Sequence, residues 1–333
     1  MPGKNLSLLV NDIVYPNNTY LGNAFSPEDQ FTVDIELQSQ TFYPSDIDLK
    51  SVVFDGYQYI AVGDTALATS IIKSTDGINW NILNLSEQPL DARDITYDGS
   101  TYVIATPNKT TPALVSFDSI NWFSSGEFTP YDSTAFDESG YDRSVINIDN
   151  ATMYGDTYGN GKFVIAGERY VFTSNNGVDW STTFDYGTTS QVLNSVTYAN
   201  ATYFNGFVAV GSGYQIIGST NSPSNTTFIN SGIVLISPDG IGWSIISPAF
   251  SNTGLFGVAA DDQNIVAVGQ GGNIFISTNG SNWTKVASPV TTDLYDVTYN
   301  NGIFVAVGKG GVILKSNTGF TWTIANSGVT VDL

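Results

Sequence analysis

The chain has 333 residues, 41% of them apolar and only 13% charged, with 31 acidic against 11 basic side chains for a net charge of −20. That length holds one large domain or two ordinary ones with a real core, and the acidic field repels phosphate backbones and anionic membrane surfaces, which sets nucleic acid aside as a partner. Cysteine and histidine are both absent, which removes disulfides, thiolate nucleophiles, Cys-ligated zinc and the imidazole base, so neither a metal nor a cofactor is expected.

Residues 1–48 come first. Met1–Asn5 has neither the basic region nor the apolar stretch of a secretion signal, and no run of 18 apolar residues occurs, so no membrane insertion is expected. The segment holds one cleanly alternating run, Phe31-Thr32-Val33-Asp34-Ile35-Glu36-Leu37. It reads as an N-terminal arm that docks on a partner or wraps the remainder.

From residue 49 onward the chain repeats itself. A short strand A, such as Val52-Val53-Phe54, precedes a run of strand length, Tyr59-Ile60-Ala61-Val62-Gly63. The run recurs as Tyr102–Thr106, Phe163–Gly167, Phe207–Gly211, Ile265–Gly269 and Phe304–Gly308. Its near-continuous apolarity predicts a strand B buried on both faces. A strand C follows, then a tight turn, then a strand D that opens on tryptophan. The turn phrases are Ser74-Thr75-Asp76-Gly77 before Trp80, Ser116-Phe117-Asp118-Ser119 before Trp122, and Ser174-Asn175-Asn176-Gly177 before Trp180. They continue as Ser237-Pro238-Asp239-Gly240 before Trp243, Ser277-Thr278-Asn279-Gly280 before Trp283, and Ser316-Asn317-Thr318-Gly319 before Trp322. Glycine accepts positive φ at low cost, the Asp or Asn oxygen accepts amides within the turn, and the indole supplies a broad surface beneath it.

A four-stranded sheet cannot bury both faces alone, but radial packing of several does so and leaves only short edges. The tryptophans are separated by 42, 58, 63, 40 and 39 residues, and the shorter spacings suit propeller blades. The prediction is an all-β, six-bladed propeller over residues 49–333. A seventh, degenerate blade within residues 1–48 is the alternative, with no Trp or Ala-Val-Gly phrase to support it.

Two departures from the repeat fall on one predicted face, where D-to-A and B-to-C connections emerge. One is Ser125–Ile148, acidic and aromatic. The other is Ser212–Gly232, which stretches the Gly211-to-Trp243 interval to 32 residues. The chain's three arginines, Arg93, Arg143 and Arg169, are predicted on this face, near Tyr131, Tyr141, Tyr170 and Tyr214. Guanidinium groups bind carboxylates in a bidentate way, so Arg93, Arg143, Arg169, Tyr141, Tyr170 and Tyr214 form a candidate surface for a glycan or acidic ligand. The competing expectation is local pairing of each arginine with Asp91, Asp94, Asp142 or Glu168.

The phrase Ser-x-Asp-Gly-x-x-Trp resembles the Asp box of sialidase-like propellers, one residue shorter than the usual sialidase form. The repeat as a whole is similar to the Asp-box group that includes bacterial neuraminidase repeats and photosystem II assembly propellers. That resemblance implies a structural turn far from the ligand face. The composition resembles that of bacteriophage fibre and decoration proteins. It implies a non-enzymatic virion protein, made in the host cytoplasm, whose arm contacts other virion proteins while the insertion face meets a partner or a cell-surface glycan. The alternatives are a sialidase-like glycoside hydrolase, for which no Arg-Ile-Pro phrase precedes the first repeat, and an assembly scaffold like the photosystem propellers.

Overall fold

The computed structural model describes residues 48–64, 69–83, 92–106, 113–125, 152–186, 191–217, 227–246, 250, 253–328, 330 and 332, with backbone alone at 69, 214–217 and 227–230. Strands alternate with turns throughout, and the described helical structure is one short 3-10 turn, Gln270–Gly272. Blade 1 is β1 (Asp48–Phe54), β2 (Tyr59–Asp64), β3 (Thr69–Ser74) and β4 (Asn81–Leu83). Blade 2 is β5 (Asp94–Tyr97), β6 (Tyr102–Ala105), β7 (Ala113–Ser116) and β8 (Phe123–Ser124). Blade 3 is β9 (Met153–Gly159), β10 (Lys162–Gly167), β11 (Tyr170–Ser174) and β12 (Ser181–Asp185). Blade 4 is β13 (Gln191–Ala201), β14 (Phe204–Ile217), β15 (Thr227–Ser237) and β16 (Ser244–Ile246). Blade 5 is β17 (Leu255–Ala260), β18 (Ile265–Gly269), β19 (Ile274–Ser277) and β20 (Thr284–Val286). Blade 6 is β21 (Leu294–Asn300), β22 (Ile303–Gly308), β23 (Val312–Ser316) and β24 (Thr323–Ala325).

Each blade is a four-stranded antiparallel meander with its strands in sequence order. The first strands lie innermost and meet in succession, β1 with β5, β5 with β9, β9 with β13, β13 with β17 and β17 with β21. The protein is a six-bladed β-propeller. Its apolar clusters sit between blades. One joins blades 1 and 2, and the next joins blades 2 and 3. The others join blades 3 and 4, 4 and 5, and 5 and 6. Strand B supplies both sides of this packing, and Ile60, Ile104, Phe163, Val208, Val266 and Phe304 are fully buried.

The turn between strands C and D is built as its residue types predict. In blade 1 the Asp76 Oδ1 accepts the amides of Ile78 and Asn79 at 2.9 and 2.7 Å, and Ser74 Oγ accepts the Gly77 amide at 2.8 Å. Gly77 has φ +69°, while in blade 2 Ser119 takes φ +61° without glycine's freedom. Every tryptophan adds a bond that sequence reasoning missed: its indole N–H donates to the carbonyl of the turn residue three positions back. The distances run from 2.8 Å in Trp180, Trp283 and Trp322 to 3.3 Å in Trp122. Only Trp180 and Trp322 among the six are buried.

One expectation changes. The blade 4 insertion is in large part regular structure rather than loop. The β14–β15 ladder runs on through Ser212↔Gly232 to Ile217↔Thr227, projecting a two-stranded ribbon. The Ser125–Ile148 insertion lies outside the described residues apart from Ser125.

Candidate ligand-binding face

The innermost strands carry a bulge at one recurring position. Pairing slips between Leu49 and Ser51, Leu193 and Ser195, Leu255 and Gly257, and Leu294 and Asp296. In blade 3 the slip is between Ala166 and Gly167 of the facing strand, opposite Tyr154. The residues at this position are Lys50, Tyr154, Asn194, Phe256 and Tyr295, and alignment of the copies sets Arg93, just before β5, at the same place in blade 2, where the pairing carries no slip. A bulge re-aims its side chain and strengthens local twist, and at this position around the channel mouth Arg93, Asn194 and Phe256 reach the next blade, while Lys50 pairs within its own. Arg93 lies over the Tyr154 ring, 6.0 Å from its centre. Asn194 Nδ2 donates to the Leu255 carbonyl at 2.7 Å, and Phe256 and Tyr295 have ring centres 6.3 Å apart. One position further, Ser51 Oγ donates to Asp94 Oδ1 at 2.6 Å, and the Asp156 amide donates to Asp94 Oδ2 at 3.0 Å.

The arc is polarised. Its cations stand in blades 1 and 2 and its aromatics in blades 3, 5 and 6. Lys50 is buried and ion-paired with Asp48, with Asp64 Oδ1 3.5 Å away. The Tyr154 hydroxyl donates to Glu168 Oε1 at 3.1 Å. Burial first, and then the Glu168 charge and hydrogen bond, push this phenol up to about 12, so it stays a neutral donor at physiological pH.

Further out on the same face, Arg169 occupies the B-to-C turn of blade 3 in the left-handed region, with φ +67°, where a non-glycine residue is strained. Backbone bonds hold it there: its amide donates to the Gln191 carbonyl at 2.9 Å, and its carbonyl accepts the Tyr186 amide at 3.1 Å. The guanidinium grips Asp185 in a bidentate pair, Nε to Oδ1 at 2.6 Å and Nη2 to Oδ2 at 3.0 Å. It also lies 5.0 Å from the Tyr170 ring centre. The Asp185 hydrogen bond leads in raising the Arg169 pKa, and burial leads in raising that of the Tyr170 phenol.

The structure places Arg93 over Tyr154 and Arg169 beside Tyr170 and Asp185, and Tyr154 donates to Glu168, the neighbour of Arg169 in sequence. Arg93 belongs to the channel mouth. Arg169 and Tyr170 form an outer cluster that is already paired. Local pairing holds for Arg169 with a different acid from those expected, since its partner is Asp185 and not Glu168. Arg143, Tyr141 and Tyr131 lie outside the described residues, and at Tyr214 only the backbone is described. Lys50, Tyr154, Phe256 and Tyr295 were missed. Their signal was available in the sequence, one residue before each Ser, Asp or Gly that opens the strand A phrase, but it emerges only when the copies are aligned on the bulge. Among the described residues no group of three or more acidic side chains gathers as a metal site. No described helix is long and apolar enough to cross a membrane.

With this geometry in place, the comparisons can be read. No protein-family model and no curated protein matches the chain. Solved structures do. The likeness is to β-propellers. The YCF48 protein from Cyanidioschyzon merolae superposes with a TM-score of 0.56 at 18% identity, covering 81% of this chain and 80% of that one. A YCF48 bound to D1 peptide gives 0.55 at 15%, covering 83% and 79%. Virginiamycin B lyase from Staphylococcus aureus, in a catalytically inactive form with quinupristin, gives 0.62 at 10%, covering 85% and 86%. At such identities the likeness shows the fold alone.

Proposed function

We propose that this chain is a non-enzymatic binding and assembly module, a component of a larger particle, that grips a carboxylate-bearing peptide segment of a partner at the channel mouth. The observation that carries this reading is the placement of Lys50, Arg93 and Tyr154 at one aligned position of three consecutive blades, with Arg93 over the Tyr154 ring. The Arg93 guanidinium supplies charge for a carboxylate and the Tyr154 ring a stacking surface, while the Tyr154 O–H is given to Glu168 and the Lys50 ammonium to Asp48. In a chain of net charge −20, the Arg93 guanidinium over the Tyr154 ring makes a local exception that favours an acidic group over the repulsive background. Two further features favour a protein partner. Among the described residues, β16 pairs with Val234–Ile236 and the Gly232 amide donates to the Phe250 carbonyl at 3.1 Å, and the ribbon beyond, from Thr227 to Ser231, offers backbone for strand addition. A YCF48 of the same fold is bound to a peptide. The virion is the particle that the composition favours, with the arm on a neighbouring virion protein. Against a sialidase-like reading, Arg169 is committed to Asp185 in a bidentate pair.

Titration of the full chain with a peptide ending in two aspartates tests this. Binding in the micromolar range is expected, with Arg93→Gln weakening it about tenfold, the loss of one charge-assisted contact. Arg169→Gln should leave affinity unchanged. Equal weakening by both variants would move the site to the outer cluster, and steady hydrolysis of a fluorogenic sialoside would replace the binding reading with a catalytic one.

A further inference from the structure

The exposed apolar side chains are unevenly spread. Twelve large ones stand in solvent among the described residues, all on or beside A-to-B turns, C-to-D turns or outer strands, and seven of them belong to blades 1 and 2. Tyr57 is 76% exposed in the A-to-B turn of blade 1, and Phe117 and Ile120 are each 59% exposed in the C-to-D turn of blade 2. Phe123 opens the outer strand beside them, with its ring centre 5.5 Å from that of Phe117. Single exposed apolar residues need no explanation, but a contiguous group marks an interaction site.

Hydrogen bonds between the two blades hold this group in place. At the turn position where Gly77, Gly177, Gly240, Gly280 and Gly319 stand in the other blades, blade 2 has Ser119, in the left-handed region with φ +61°. A residue with a side chain is strained there, and this side chain ties blade 2 to blade 1. Ser119 Oγ accepts Lys73 Nζ and Gln58 Nε2 of blade 1, each at 2.9 Å. Gln58 Nε2 also donates to Asp55 Oδ2 at 3.1 Å, and the Tyr102 hydroxyl of blade 2 donates to the same oxygen. The A-to-B turn of blade 1 and the C-to-D turn of blade 2 are thus locked to each other, and Tyr57 and Ile120 each adjoin a residue of the lock, Gln58 and Ser119. Glycine at position 119 would relieve the backbone and lose the tie.

The charge around the group has one sign. Each of the four turns on this side of blades 1 and 2 carries an aspartate fixed by the amides of its own turn. Asp55 accepts those of Tyr57 and Gln58, and Asp76 those of Ile78 and Asn79. Asp98 accepts those of Ser100 and Thr101, and Asp118 those of Ile120 and Asn121. Against them, among the described residues, stands Lys73, whose ammonium is given to Ser119. We propose that the face of blades 1 and 2 remote from the channel mouth is a second docking site, which takes a partner-protein segment presenting apolar side chains between lysines or arginines. The exposed aromatic and aliphatic side chains form its centre and the fixed carboxylates its rim, as in protein interfaces generally. Because the two turns are locked before binding, little freedom is lost on docking. A second copy of this chain would bring carboxylates against carboxylates, and an anionic membrane would be repelled. The site is independent of the channel-mouth reading. The N-terminal arm and the seventh-blade alternative fall outside the described residues, which begin at Asp48.

Titration of the full chain with a short amidated peptide that alternates lysine with leucine tests this. Saturable binding is expected, weakening as salt is added. Phe117→Ser and Ile120→Ser should each weaken it about tenfold, the loss that truncating a central apolar contact brings, with thermal midpoints unchanged because both side chains are exposed. Asp118→Asn keeps a turn that asparagine fills in blades 3 and 5, and it should flatten the salt dependence. Ile245→Ser on blade 4 and Arg93→Gln should leave affinity as it was, and the same peptide with glutamate for lysine should not bind. Absence of binding, or binding that Phe117→Ser and Ile120→Ser leave intact, would overturn the proposal, the latter in favour of plain attraction to an acidic chain. Self-association that Ile120→Ser abolishes would overturn it in favour of a second copy, and flotation with phosphatidylserine vesicles that Ile120→Ser abolishes would do so in favour of a membrane. Neither Phe117→Ser nor Ile120→Ser should alter binding of the aspartate-ended peptide, so the two sites stand or fall separately.

Discussion

At the scale of single residues, the Ser-to-Trp phrase was fully legible as a turn, because each of its residue types has one local task. Its energetic centre was less so. Flatness and size suggested the indole's packing, but its N–H reaches back to the turn carbonyl in all six copies, and that bond depends on a backbone path no composition reveals. Burial then grades the copies. Trp180 is 1% exposed and bonds the Gly177 carbonyl at 2.8 Å, whereas Trp80 is half-exposed and its bond is 3.1 Å. Trp180→Ala should cost about 3–5 kcal/mol, the range for emptying a fully buried aromatic site, and Trp80→Ala clearly less. Urea unfolding curves of the two variants check this, and equal losses would show that the turn bond outweighs burial. Arg169 shows the opposite limit. Its charge was easy to find, but its left-handed backbone and its choice of Asp185 follow from the surrounding chain.

Among the elements, the strands were predicted from β-branched runs, and the glycine closing each Ala-Val-Gly phrase was taken as a boundary. Its physical reason is the bulge on the facing strand. A Cβ at Gly63, Gly167, Gly211, Gly269 or Gly308 would lie 1.8–2.2 Å from a backbone carbonyl oxygen of the chain entering strand A. The residue after the glycine uses that same oxygen: Gln270 donates to the Gly254 carbonyl at 2.9 Å, and Lys309 to that of Asp293 at 2.9 Å. Blade 2, where Thr106 replaces the glycine, is the copy whose strand A begins only at Asp94. Gly269→Ala should therefore cost about 1–3 kcal/mol by forcing the backbone apart, and it should also displace Phe256 at the channel mouth. A stability change without altered amide shifts at residues 255–257 would place the strain elsewhere. The blade 4 insertion was misread for a related reason. Its Ser, Asn and Thr content suits loops and exposed ribbons alike, and only pairing across the hairpin distinguishes them.

For the whole molecule, the repeat predicts equivalent blades, but acid should not act on them equally. The turn oxygen belongs to an aspartate in blades 1, 2 and 4 (Asp76, Asp118 and Asp239) and to Asn176 or Asn279 in blades 3 and 5, with Thr318 in blade 6. The backbone amide of Asn79 leads in holding Asp76 well below the usual carboxylate range, that of Asn121 does so for Asp118, and that of Gly242 lowers Asp239. A carboxylate with a depressed native pKa contributes stability that is present above its unfolded value of about 3.9 and fades as pH falls through the native value. Asparagine and threonine turns have no such term. Between about pH 4 and pH 2 the turns of blades 1, 2 and 4 should thus lose protection before those of blades 3, 5 and 6. Amide exchange resolves the difference at Ile78, Asn79, Ile120, Asn121, Ile241 and Gly242 against Val178, Asp179, Ser281 and Asn282. Asp76→Asn should remove the acid response of blade 1 while keeping its turn, since asparagine fills this role two blades away. If all six turns open together at one pH, the propeller unfolds as a single cooperative ring, and the charge of individual turns has no local consequence.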